Sequence, residues 1–127
     1  MQTQGGGAIV NLSSIASLIG LPGLSSYVAT KHGVNGLTKN AALEYAKEGI
    51  RVNSVCPGGI DTRMLDSLAE QATGSTMTSP EMMDSQHPMG RIGTADEVAD
   101  LIVWLCSDKE SFMTGLHVPI DGGFVAQ

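Results

Sequence analysis

The sequence predicts an α/β fold of about three parallel strands with helices on both faces of the sheet, in a single domain spanning 1–127. Three observations carry that expectation. Short apolar runs stand at Ala8–Leu12, Ile50–Cys56 and His117–Ile120, each bounded by glycine or proline. Stretches with three- and four-residue apolar spacing lie between them. The order strand, helix, strand, helix, strand, with connections too long for hairpins, argues for right-handed parallel crossovers.

Each element has its own signal. Ala8-Ile-Val-Asn-Leu12 follows the triplet Gly5-Gly6-Gly7 and reads as a buried strand. Ser13 to Gly23 reads as loop. Ser25 or Ser26 is the expected cap of a long helix from about Tyr27 to Lys47, with Val34, Leu37, Ala41 and Tyr45 in periodic positions. Gly49 ends it, and the second strand stops at Pro57-Gly58-Gly59. A short helical pattern covers Met64–Ala72, and Ser79-Pro80-Glu81 is a further helix opening. Five of the seven methionines fall between Met64 and Met89. That segment is either a mobile cover over an apolar pocket or an ordinary surface excursion. Thr94-Ala-Asp-Glu97 is a capping box, opening a helix with Val98, Leu101, Ile102 and Leu105 on one face.

Composition narrows the class. The 127 residues are 42% apolar and 16% charged, with a net charge of −6. A globule of this size buries roughly 65–70% of its unfolded surface, so a packed core is expected. No basic block offers a phosphate-tracking surface, which argues against nucleic-acid binding. No apolar run reaches the ~20 residues of a membrane span, and no secretory leader is present, so a soluble, cytoplasmic protein is expected. Cys56 and Cys106 read as reduced, buried small hydrophobes. His32, His87 and His117 lack metal-pair spacing, so no metal site is expected.

The chemistry gathers at Tyr27 and Lys31, four residues apart on one helical face. A phenol with its ordinary pKa of ~10 shuttles protons poorly at neutral pH, and a neighbouring ammonium favours the phenolate. Ser14 leaves a strand end 13 residues before Tyr27, where ligands of open α/β sheets collect. A substrate oxygen bridged by the two hydroxyls is a plausible reactive centre. Pro57-Gly58-Gly59-Ile60 ends the second strand at the same edge, where freed backbone groups can clamp a flat polar ligand.

Asn11-Leu-Ser-Ser14, Tyr27-Val-Ala-Thr-Lys31, Arg51-Val-Asn53, Pro57-Gly58-Gly-Ile60-Asp-Thr62 and Asp121-Gly122-Gly123 together resemble the successive motifs of the short-chain dehydrogenase/reductase family, in order and in register. The resemblance implies the C-terminal half of a Rossmann-like, doubly wound parallel sheet. It implies that Tyr27 is the proton donor or acceptor, that Lys31 assists it and binds the nicotinamide ribose, and that Ser14 holds the substrate oxygen. Pro57, Gly58, Ile60 and Thr62 would border the nicotinamide of NAD or NADP, Thr62 serving equally as a helix cap. The implied activity interconverts a secondary alcohol and a ketone. Asn53 and Arg91 are expected to brace and anchor, and Asp121 to form a turn and a subunit contact. The insertion 61–93, expected to form a substrate loop, is similar in length to those of reductases of sugars, cyclic alcohols or steroids.

The family's glycine-rich phosphate turn, its Asn-Ala-Gly segment and its further catalytic asparagine have no counterpart in this sequence. Gly5-Gly6-Gly7 precedes a strand and does not follow one, so it does not replace the phosphate turn. It matches the turn before the family's fifth strand, which places Met1 near the end of the preceding helix. The chain is therefore expected to be a catalytic half with an open strand edge, forming a homo-oligomer or meeting a separate N-terminal half. The alternative is a non-catalytic remnant that folds and self-associates without binding dinucleotide.

Overall fold

The computed structural model describes residues 1–65 and 80–127. Three strands, β1 (Gly7–Leu12), β2 (Ile50–Pro57) and β3 (His117–Ile120), form one parallel sheet in the order β1-β2-β3. Gly7 to Leu12 pair with Ile50 to Val55, and Ser54 to Pro57 pair with His117 to Ile120. Helix α1 (Ser25–Tyr45) connects β1 to β2; α2 (Pro80–Gln86) and α3 (Ala95–Cys106) lie between β2 and β3. Residues 63–65 are helical; the rest of the helix expected at Met64–Ala72 lies outside the described residues, as does much of the 61–93 insertion. Met1 was expected near a helix end, and Gln2–Gln4 form a 3-10 turn closed by Gly5.

β2 is the buried spine. Ile50 and Val52 pack with Ala42 of α1 on one face; Val55 packs with Val98 and Leu105 of α3 on the other. Burial on both faces is what a central parallel strand requires. Asn11 of β1 donates to the Thr38 hydroxyl at 2.9 Å, tying the edge strand to α1. Arg51 donates from its guanidinium to the carbonyls of Leu105 and Ser107, both at 3.0 Å, satisfying orphan groups at the end of α3. Where β1 begins, the Gly7 N–H bonds the Gly49 carbonyl at 3.2 Å. A Cβ on Gly6 would stand 2.6 Å from that oxygen, so the chains meet this closely only through glycine.

The capping box at Thr94 and Glu97 is formed as expected. Two expectations are corrected. Neither Ser25 nor Ser26 caps α1: both lie within the helix, and Leu24 occupies the cap position without a side-chain bond. Cys56 is buried, but Cys106 is exposed, because it follows the buried Leu105 by one residue and so turns about 100° away from the core. No helix among the described residues is long and apolar enough to cross a membrane.

Candidate active site

β1 delivers its chain to the sheet edge at Leu12. Ser13 extends the ladder through its N–H to the Val55 carbonyl at 2.8 Å. Ser14 then leaves the sheet in extended conformation and caps the 3-10 turn Ile15–Ser17, its Oγ accepting from the Ala16 N–H at 3.1 Å. From the other side, α1 presents Tyr27 in its first turn and Lys31 one turn later. The Lys31 Nζ lies 5.6 Å from the Tyr27 ring centroid and donates to the Leu12 carbonyl at 3.2 Å. The Ser13 hydroxyl donates to the Lys31 carbonyl at 3.4 Å. These two bonds fasten the end of β1 to α1. Ser14, Tyr27 and Lys31 therefore stand at one edge of the sheet, all half-buried.

Beside them runs the loop after β2. Gly58 N–H continues the β3 ladder to the Ile120 carbonyl at 3.0 Å. Gly59 is held twice: its N–H donates to His87 Nε2 at 3.1 Å, and its carbonyl accepts from Gly93 N–H at 2.8 Å. His87 is buried, and its Nδ1 lies 2.7 Å from the Met83 carbonyl, which can only accept. Nδ1 therefore carries the proton and Nε2 the lone pair that receives Gly59. The His87 ring also packs on Phe124, with centroids 5.3 Å apart. A Cβ on Gly58 would come within 2.9 Å of Asp121 Cβ, and one on Gly59 within 2.9 Å of His87 Cε1. Close approach, not turn geometry, accounts for both glycines. Thr62 stands before the helical residues 63–65 with its hydroxyl turned back, donating to the Ile60 carbonyl at 3.3 Å.

The expected bracing residues are in place. Asn53 is buried, donating to the Met113 carbonyl at 2.8 Å and accepting from Leu116 N–H at 3.0 Å. Arg91 forks onto Glu97 at 2.7 and 3.0 Å. The Arg91 hydrogen bond, reinforced by the Thr94 N–H, holds the Glu97 carboxyl down at about 2. Asp121 closes its turn by accepting from Gly123 and Val125 N–H groups at 3.0 and 2.8 Å. His87 and Gly93 are the residues that sequence reasoning missed. His87 lies 28 positions from the Gly59 amide it meets, and no local spacing announces such a contact. A cavity of about 320 Å³ opens nearby, lined by Ile60, Met89, Gly93, Glu97, Ile120 and Gly122 among others, with Ser14, Tyr27 and Lys31 outside its lining.

Ser14, Tyr27, Lys31, Pro57, Gly58, Ile60 and Thr62 thus lie around the carboxyl ends of β1 and β2, the end of an open sheet at which ligands bind. The glycine triplet leads into β1, Gly7 being its first residue, and serves the approach to Gly49; it follows no strand and opens no α-helix of the kind that cradles a phosphate.

The chain is similar to known proteins along nearly its whole length. A family model described as enoyl-(acyl carrier protein) reductase matches residues 1–125. Cyclohexanol dehydrogenase of Acinetobacter sp. (strain SE19) is 49% identical over 97% of this chain and 45% of its own length. The 3-oxoacyl-[acyl-carrier-protein] reductase of Thermotoga maritima is 44% identical over 98% of this chain and 48% of its own. Among solved structures, levodione reductase superposes with a TM-score of 0.91 at 39% identity, over 99% of this chain and 49% of its own. ElxO with NADP bound gives 0.88 at 42% identity, over 100% of this chain and 50% of its own. The chain spans about half the length of the relatives it matches. With five motifs in register, the parallel sheet they predict, and a family match along nearly all its length, this chain belongs to the short-chain dehydrogenase/reductase family.

Proposed function

We propose that this chain supplies the acid–base half of an NAD(P)-dependent oxidoreductase interconverting a secondary alcohol and a ketone. The observation that carries the reading is the placement of Lys31, pinned to the end of β1 and set over the ring of Tyr27. Tyr27 gives a proton to the carbonyl oxygen in reduction and takes one from the alcohol in oxidation. Lys31 sets its side-chain nitrogen beside the phenol and would donate to the ribose hydroxyls of a bound dinucleotide. Ser14 donates its hydroxyl to the same substrate oxygen, holding it against Tyr27. Pro57, Gly58, Ile60 and Thr62 border the nicotinamide, held in position by His87 and Gly93. The bound dinucleotide supplies the hydride chemistry.

The 61–93 segment is the substrate loop on this reading, and its substrate is a small alcohol or ketone. Likeness to a cyclohexanol dehydrogenase favours a cyclic one. The phosphate end of the dinucleotide belongs to an N-terminal half, joined to this chain or supplied separately, that pairs with the open edge of β1. Ile9 and Leu12 on β1, with Leu37 and Leu43 on α1, are exposed apolar residues that support contact there with that half or with a second copy.

Turnover of cyclohexanol with NAD or NADP tests the assignment. Tyr27→Phe is expected to lower it about a hundredfold or more, the usual weight of a general acid–base group. Unchanged turnover sinks the reading. The same exposed apolar residues also favour a second one, a half-domain that self-associates without dinucleotide. Calorimetry separates the two: no heat with NAD or NADP, and no protection from proteolysis, supports the second.

A further inference from the structure

A line of polar side chains lies beneath the site, and the chemistry proposed above does not use it. The Ser17 hydroxyl meets the Ser14 carbonyl at 2.5 Å. Asn35 Nδ2 meets Ser17 Oγ at 2.7 Å, and Ser54 Oγ meets Asn35 Oδ1 at 2.9 Å. His117 Nδ1 meets Ser54 Oγ at 2.8 Å. Ser17, Asn35 and Ser54 are all buried, and they come from the 3-10 turn, α1 and β2; His117 opens β3.

The direction of every bond in this line is determined. A backbone carbonyl can only accept, so Ser17 donates to Ser14. With its one proton spent there, Ser17 Oγ must accept from Asn35, which turns the amide nitrogen towards it. Asn35 Oδ1 then faces Ser54 and takes the Ser54 proton. Ser54 Oγ is left to accept, so His117 carries its proton on Nδ1. The far nitrogen, His117 Nε2, is a buried lone pair without a hydrogen-bond partner among the described residues.

Polar side chains in a core are commonly satisfied by whatever lies close, and pairing alone signifies little. This line differs because it runs one way across four elements and ends on the carbonyl of one site residue. Buried polar networks fix geometry in a way apolar packing does not. The Ser14 carbonyl is doubly held, by the Ser17 hydroxyl and by the Ser17 N–H at 2.9 Å, at the point where Ser14 swings out of the sheet.

We propose that Ser17, Asn35, Ser54 and His117 form a directed positioning relay for Ser14, setting the turn that aims its hydroxyl and linking it to β3. The proposal rests on the reading above only for what Ser14 does with substrate. Its own test is spectroscopic and needs no cofactor. Nitrogen resonances of His117 in the 127-residue chain are expected to show protonated Nδ1 and unprotonated Nε2; the opposite tautomer overturns the relay. Ser17→Ala is expected to shift both the Ser14 carbonyl carbon and the His117 ring nitrogens, although Ser17 and His117 share no bond. A shift confined to the neighbours of Ser17 overturns it as well.

Should Ser17→Ala not fold, a pair of variants at the far end decides. His117→Asn keeps a donor near Nδ1 and His117→Leu removes it. The Ser14 carbonyl resonance is expected to stay near its parent value in the first and to move in the second; equal values in both overturn the relay. The assignment of Ser14 to the substrate oxygen falls separately: Ser14→Ala with unchanged turnover removes that role and leaves these resonances as described.

Discussion

The two faces of β2 are both covered and differently built. Towards α3, Val55 meets Val98 and Leu105, with Ile102, Val118 and Ile120 around them, while Asn53 and Arg51 of the same face bond the backbone carbonyls of Met113 and Leu105 beside that cluster. Towards α1, the strand begins with Ile50 and Val52 against Ala42, then turns polar at Ser54 and Cys56 as it nears the candidate site. There Asn35 and Ser17 replace the aliphatic partners seen on the other side. One strand thus carries a packing face and a specifying face. The first supplies stability through area; the second fixes where Ser14 and the start of α1 sit.

The packing face should show the larger stability effect. Leu105 is fully buried, and Leu105→Ala is expected to destabilise the chain by about 2–5 kcal/mol, the usual cost of a leucine-sized cavity. Leu105→Met, which conserves volume, is expected to cost less than about 1.5 kcal/mol. Urea unfolding measures both, and equal losses in the two variants would remove volume as the basis of this face. On the specifying face, Asn35→Ala strips Ser17 and Ser54 of a shared partner, for an expected loss of about 1–3 kcal/mol. A loss above that of Leu105→Ala would reverse the ranking of the two faces.

The same contrast decides what could be read from the sequence. The packing face was legible: Val98, Leu101, Ile102 and Leu105 repeat at helical spacing, and Thr94 with Glu97 marks where their helix starts. The strands were legible because short apolar runs met glycine or proline at one end or both. So were Tyr27 and Lys31, whose separation of four residues becomes a shared face and a 5.6 Å contact. The specifying face was not. Ser17, Asn35, Ser54 and His117 are scattered over a hundred positions, and each alone looks like an ordinary polar residue. Their order exists only after α1 has folded across β2 and β3. The His87 clamp on Gly59 was hidden for the same reason. The failed expectation that Ser25 or Ser26 caps α1 is of another kind: cap preference is a weak local term, and the ties of Lys31 and Ser13 to the other element's carbonyl groups fix where the helix enters.

A milder perturbation of the specifying face is acid. Burial, and secondarily the nearby Lys39 cation, lowers the His117 pKa below its ordinary 6.5. Between the lowered folded value and ~6.5 the unfolded chain binds more protons than the native one, so stability rises with pH. This contribution is complete above ~6.5 and is lost as pH falls through the folded value. The denaturation midpoint is therefore expected to fall on acidification below neutrality, and His117→Asn should flatten that slope. An unchanged slope in the variant would assign it to other groups.

The smallest effect belongs to the rim of the packing face, where Glu97 joins the capping box to Arg91. Its carboxyl is held at about 2 against an ordinary 4.5, chiefly by the Arg91 hydrogen bond and then by the Thr94 N–H. A depressed folded pKa stabilises the chain above the unfolded value, and that stability is lost as pH falls through about 2. This window opens at 4.5, whereas that of His117 opens at 6.5, so the two faces enter one pH titration at different points. Because the Arg91–Glu97 pair is exposed, solvent and salt screen it, and the slope should weaken as salt is raised. Glu97→Gln keeps a group able to accept the Thr94 N–H but removes the charge facing Arg91. It is expected to abolish the acid slope between 4.5 and about 2 while leaving the His117 slope in place. If both slopes vanished together, the two faces of β2 would be coupled through the strand, and the division between packing and specification would not hold.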